Sequence, residues 1–277
     1  MIKIDINVSV LLKEHPFLER FDEAVKLGFD ACEFYWNREE QPADIARRIS
    51  DAGIKVAAFN FDAGEMAAGD RGLLNDPLRQ KEMRANVPVA LELAEKVGCR
   101  KLTALAGNLR PGEDRDAQLA FIRENLKWVC DRAAEAGITV MVEAINAWDN
   151  RSYPLTNSRD TISFLDSVGA SNLMYLFDMY HMQRMEGNLV STLEQYAERI
   201  GHIQIADSPK RNQPGTGEIN YGYVFATIEA CGYKGSVGLE YNPVGTTEES
   251  LGWLPKPMRT GFGASEFGTR HATALVR

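Results

Sequence analysis

Four residues with oxygen-bearing side chains stand on four apolar segments in the second half of the chain, one on each: Glu143, Asp178, Gln204 and Glu240. They stand in Val140-Met141-Val142-Glu143, Leu176-Phe177-Asp178, Ile203-Gln204-Ile205 and Gly238-Leu239-Glu240, at separations of 35, 26 and 36 residues. Three carboxylates and one amide oxygen gathered in one place demand a cation or shared protons. Hard oxygen donors of this kind suit Mg²⁺ or Mn²⁺ better than zinc, which favours nitrogen and sulfur. Any one of these residues alone could cap a helix or pair with a surface cation. Their shared position at the ends of successive strand-like segments argues for a joint role.

Further polar residues surround this set. His181 follows Asp178 by three residues and is placed on the next loop, within reach of a substrate oxygen. His202, two residues before Gln204, shares the inward face one layer deeper, and a structural and a functional role are both open for it. His15 and His271 have no such context and read as surface residues. Three more segments are candidates for lining the site: Asn60-Phe61-Asp62-Ala63-Gly64-Glu65, Ala106-Gly107-Asn108 and the turn Pro214-Gly215-Thr216-Gly217-Glu218, with Lys210 and Arg211 supplying positive charge for an anionic substrate. From these, Glu65, Asn108, His181 and Arg211 are taken as substrate contacts. Glu33 and Tyr35 face the same mouth in this reading, and Trp36 and Phe61 form apolar walls.

The elements that must position these residues follow from hydrophobic periodicity. Strand-like runs cover residues 2–8, 31–35, 55–61, 101–106, 139–145, 173–178, 200–207 and 236–241. Helix-like stretches cover 17–27, 43–52, 81–97, 116–136, 158–168, 189–199 and 223–231, and Gly28, Gly53, Gly98, Gly137 and Gly169 follow five of them as left-handed stops. Eight units in 277 residues average about 35 each, the arithmetic of an α/β (β/α)8 TIM barrel in one domain. A doubly wound sheet is the runner-up, disfavoured because no G-x-G-x-x-G follows the first strand. In such a barrel the site lies at the C-terminal strand ends, where the four oxygen donors fall. The barrel is assigned to residues 1–260. Residues 261–277 read as an irregular tail, and Ser265-Glu266-Phe267-Gly268-Thr269-Arg270 resembles vector-encoded sequence.

Composition narrows the function classes. With 44% hydrophobic and 25% charged residues the chain is globular rather than disordered. A net charge of −8 disfavours a nucleic-acid partner. Four scattered cysteines, Cys32, Cys99, Cys130 and Cys231, form no C-x-x-C pair and read as reduced packing residues. The alternating start lacks a signal-peptide core, and no apolar run approaches the roughly 20 residues of a membrane span. The expectation is a soluble, cytoplasmic protein acting on a small molecule, without a membrane partner and compatible with a homo-oligomer.

At residues 178–187 (DMYHMQRMEG), 202–207 (HIQIAD), 214–221 (PGTGEINY) and 238–241 (GLEY) the chain resembles the hydroxypyruvate isomerases of the xylose isomerase-like barrel superfamily, over about residues 1–254. The resemblance implies interconversion of hydroxypyruvate and 2-hydroxy-3-oxopropanoate, with Glu143 and Glu240 matching the catalytic acid/base pair. Related epimerases carry a metal-binding histidine where this chain has Gln204, a departure that suits the hydroxypyruvate isomerase branch. Isomerisation through an enediolate needs a base, an acid and a cation for the developing oxyanion, and two glutamates with a metal between them meet that need. The same machinery would serve a 2-oxo-tetronate isomerase or a ketose 3-epimerase. A superfamily endonuclease would call for more histidine ligands and a basic face. A non-catalytic binding protein would not need both glutamates.

Overall fold

The computed structural model describes residues 1–267 of the chain. Its strands are β1 (Ile2–Asn7), β2 (Ala31–Phe34), β3 (Lys55–Asn60), β4 (Lys101–Thr103), β5 (Thr139–Glu143), β6 (Leu173–Asp178), β7 (Ile200–Ile205), β8 (Ser236–Leu239) and β9 (Gly261–Phe262). Helices α1 (Arg20–Lys26), α2 (Pro42–Ala52), α3 (Gln80–Val97), α4 (Arg115–Glu135), α5 (Ser158–Val168), α6 (Met179–Met185), α7 (Leu189–Tyr196), α8 (Tyr221–Ala230) and α9 (Thr247–Ser250) connect or flank them. Strands β1 to β8 pair in parallel in chain order. The sheet closes where Lys3 to Ile6 of β1 run beside Ser236 to Leu239 of β8. The architecture is the (β/α)8 barrel.

The eight strand-like runs all form strands, most of them shorter at the C-terminal end than periodicity indicates. Leu105 and Ala106, for example, are buried beyond the β4 ladder, so their apolar character reflects packing of the loop and not sheet pairing. The five flagged glycines all adopt positive φ, from 65° to 97°, as a left-handed stop requires.

Two short elements break the expected pattern. Helix α6 begins immediately after β6, where a loop is expected. Asp178 caps it by accepting from the His181 backbone N–H at 3.1 Å, and its seven residues are too few for a periodic signal. Residues 261 and 262 do not belong to an irregular tail. They form β9 and pair antiparallel with Ile2 and Lys3, on the side of β1 that β2 leaves open because its own pairing begins only at Ile6. Phe262 is buried, and its ring meets Phe225 edge-on at 5.1 Å and lies 5.8 Å from Phe267. The remainder of the expected tail, 268–277, lies outside the described residues.

Inside the barrel the side chains form layers. Ala58, Met141 and Leu176 make an apolar layer, where Gly201 leaves room for Met141 and Met174. Asp5, Glu33 and His202 form a buried polar group, with His202 Nε2 2.6 Å from Glu33 Oε2. Alternation along β5, β6 and β7 then delivers Glu143, Asp178 and Gln204 to the mouth, and Glu240 follows one residue past β8. Among the described residues no helix is long and apolar enough to cross a membrane. All four cysteines carry free thiols, three of them buried and Cys231 half-buried.

Candidate active site

A cavity of about 230 Å³ opens at the C-terminal mouth of the barrel, lined by Glu143, Glu240, His181 and Arg211 among others. Glu240 and Arg211 there are held by neighbours. Glu240 Oε1 accepts from the Tyr35 hydroxyl at 2.5 Å and from Arg211 Nη2. Arg211 also stands 3.4 Å from Asp178 Oδ2 and lies over the Tyr180 ring at 5.3 Å. It adopts a left-handed backbone, φ 58°, uncommon for a non-glycine residue, and its carbonyl accepts from Asn242 N–H at 2.7 Å.

His181 has a defined tautomer. The Asn146 backbone N–H donates to its Nδ1 at 3.2 Å, so Nδ1 is the acceptor and Nε2 carries the ring proton. Burial, reinforced by Arg211, holds the imidazole well below its ordinary pKa and keeps it neutral. Nε2–H faces Glu143 Oε1 at 3.5 Å and Asp178 Oδ2 at 3.7 Å. A neutral donor so placed can hydrogen-bond a substrate oxygen. It cannot ligate a metal through Nε2 while Nδ1 is occupied by the Asn146 N–H.

The carboxylates show the strain of being gathered. Burial first, then the charges of Glu240 and Asp178, raise the Glu143 pKa well above the ordinary carboxylate range. Burial likewise pushes Asp178 up to about 7, with Arg211 opposing and Glu240 adding to the shift. Gln204 turns its amide nitrogen to Glu33 Oε1 at 2.8 Å, which leaves its own Oε1 buried without a partner; Glu143 Oε1 is buried without a partner as well. Orphaned buried acceptors call for a donor or a cation. Oxygen donors from Glu143, Asp178, Gln204 and Glu240 fit a hard divalent cation.

Four expected features are placed differently. Glu65 is exposed and pairs with Arg38, which also binds Glu82 and Asp62, in a neighbouring cleft that includes Trp36. The Asn108 side chain donates to the Gly69 carbonyl at 2.8 Å and does not line the cavity. Each is taken up by a local partner away from the lining of this cavity. The 214–218 turn is no anion cradle either, because the Asp207 carboxylate already accepts from Gly215, Gly217 and Ile219 N–H groups at 2.8, 2.9 and 3.1 Å. The apolar walls are Val10, Met66, Leu105 and Ile145, in place of Trp36 and Phe61.

Sequence reasoning missed Arg71, Asn146, Asp149 and Asn150. They sit in loops after β3 and β5, and no spacing pattern marks them. A larger groove, about 680 Å³ and lined by Arg84, Trp128 and Arg132, lies outside the barrel between α3 and α4 and holds none of the gathered carboxylates.

Known proteins support the same reading. A family model described as a xylose isomerase-like TIM barrel matches residues 21–256. The chain is 38% identical to a hydroxypyruvate isomerase of Escherichia coli over 92% of its length and 98% of that protein's. It is 39% identical to a 2-oxo-tetronate isomerase of Cupriavidus necator, again over 92% of this chain and 98% of that one. A solved protein from Brucella melitensis, described as an AP endonuclease of family 2, superposes with a TM-score of 0.87 at 37% identity, covering 92% of this chain and 98% of that one.

Proposed function

Because the chain belongs to the xylose isomerase-like TIM barrel family, as an isomerase of the hydroxypyruvate isomerase type, we propose that it interconverts hydroxypyruvate and 2-hydroxy-3-oxopropanoate. The reaction moves a proton between adjacent carbons through an enediolate. One of Glu143 and Glu240 takes the proton from C3 of hydroxypyruvate, the hydroxyl proton passes from O3 to O2 in the enediolate, and the other glutamate delivers a proton to C2, so the ketone becomes a secondary alcohol and C3 an aldehyde. The observation that carries this reading is that the two glutamates, brought from β5 and from the end of β8, line one small cavity together with a neutral His181.

The other residues have roles that their partners define. His181 Nε2–H donates to a substrate oxygen as negative charge develops on it. Tyr35 and Arg211 fix the orientation of Glu240. Glu33 holds the Gln204 amide so that its oxygen is presented and not its nitrogen. Glu143, Asp178, Gln204 and Glu240 would hold a divalent cation, Mg²⁺ or Mn²⁺. Bound there, it would offset the clustered carboxylates and stabilise oxyanion charge on the substrate.

A four-carbon homologue is the second reading, favoured by the comparable identity to the 2-oxo-tetronate isomerase. An NMR assay of hydroxypyruvate, 2-oxo-tetronate and neutral ketoses, with and without Mg²⁺ or Mn²⁺, tests both. Conversion of hydroxypyruvate to the aldehyde supports the first reading. Conversion of 2-oxo-tetronate alone moves the assignment to the homologue, and turnover of ketoses alone moves it to an epimerase or sugar isomerase.

A further inference from the structure

We propose that Arg71 is the carboxylate anchor of the cavity, the position that holds the acid group of a 2-oxo acid and sets the preference for acids over neutral sugars. The identity of that acid rests on the isomerase reading above. The binding assignment rests on the geometry of Arg71 itself.

Arg71 lies between β3 and α3 and lines the cavity together with Asn150 and His181. Its backbone is fixed by a close approach. The Arg71 carbonyl accepts from Gly107 N–H at 2.8 Å, and the next residue, Gly72, has φ 106° with no room for a side chain, since a Cβ there would stand 2.0 Å from the Leu105 carbonyl oxygen. Glycine at position 72 therefore lets this segment lie against the loop after β4 and deliver Arg71 to the mouth.

The guanidinium is clamped at two of its three nitrogens. Nε donates to Asn150 Oδ1 at 2.5 Å, and Nη1 donates to the carbonyls of Met66 and Asp70 at 3.1 and 2.6 Å. No partner holds Nη2 among the described residues, and no carboxylate there lies within ion-pair distance of Arg71. The contrast with its neighbours is direct: Arg211 is engaged by Glu240 and Asp178, and Arg38 by Asp62, Glu65 and Glu82. Arg71 is thus a pre-positioned cation in the cavity whose charge is not neutralised by a protein carboxylate. The two open N–H groups of Nη2 are charge-assisted donors for a carboxylate oxygen.

Calorimetric titration with glycerate, a non-isomerisable acid of the same carbon skeleton, and with neutral glycerol tests the assignment. In Arg71→Met the ratio of glycerate to glycerol affinity falls about 10- to 100-fold, the range for a hydrogen bond to a charged group. Arg71→Lys, which keeps the charge but not the clamped position of the Nη2 donors, holds an intermediate ratio and carries the test if the methionine variant does not fold. Failure of the wild-type protein to prefer glycerate, an unchanged ratio in the variants, or an equal loss of both ligands overturns the proposal. A wild-type protein that isomerises no 2-oxo acid overturns the isomerase reading instead, and the glycerate titration still decides the role of Arg71.

Discussion

Glu143 and Glu240 approach one cavity from opposite sides of the β6 and β7 ends, and both can be neutralised without a change of shape. Glu143→Gln and Glu240→Gln are each expected to lower kcat about 10²- to 10⁴-fold, the usual weight of a positioned proton-transfer group. Thermal melting should show the barrel intact in both, and near-normal turnover in both would remove them from the mechanism. A deeper residue makes a separate prediction. Asp5 is fully buried beside Glu33 and His202, and burial first, with Glu33 adding to it, pushes its pKa from 3.8 up to about 7. A carboxyl whose folded-state pKa is raised favours folding most below its unfolded pKa, and that contribution is lost as pH rises from about 4 to about 7. Asp5→Asn is therefore expected to melt several degrees higher than wild type at pH 8 and to show the smaller difference at pH 4. An equal shift at both pH values would show that Asp5 is not protonated in the folded protein at low pH. The four oxygen donors were legible in the sequence because each of the last four strand-like runs carries one in its C-terminal half and the runs recur at unit spacing. Arg71 and Asn146 were not legible, because a loop residue's role depends on which other loop packs on it, and that approach leaves no periodic trace.

At the scale of elements, the strands and the long helices follow from alternation, helical spacing and glycine stops, and the missed elements are those too short to repeat. Helix α6 depends on its Asp178 cap, so one carboxylate both starts a helix and faces the cavity. Strand β9 has only two residues, and its existence depends on a vacancy at the start of β1 that local sequence does not reveal. Its contribution can be measured. Phe262→Ala removes a buried ring packed against Phe225 and Phe267 and is expected to cost about 3–5 kcal/mol of unfolding free energy, with kcat nearly unchanged because the β9 pairing lies at the opposite end of β1 from the cavity. A loss below 1 kcal/mol in denaturant titration would mean that this segment does not stabilise the barrel.

For the whole molecule, closure of eight parallel strands converts four distant positions into one acidic mouth, and part of the −8 net charge becomes a local property of that mouth. A ligand that binds only the folded state raises the melting temperature. Mg²⁺ or Mn²⁺ is expected to do so in the wild-type protein and to lose most of that effect in Asp178→Asn, in a thermal scan after chelation. An equal response in both proteins would place the cation elsewhere. The proton transfer itself admits the most direct test. Hydroxypyruvate is incubated with the protein in D₂O, and the carbon-bound hydrogens of substrate and product are followed by NMR. Proton transfer through Glu143 and Glu240 predicts 2-hydroxy-3-oxopropanoate with deuterium at C2 and gradual deuteration of hydroxypyruvate at C3. Product formed with complete retention of the original hydrogen at C2 would mark a direct hydride shift and contradict the account, as would a wild-type protein that neither converts nor exchanges its substrate.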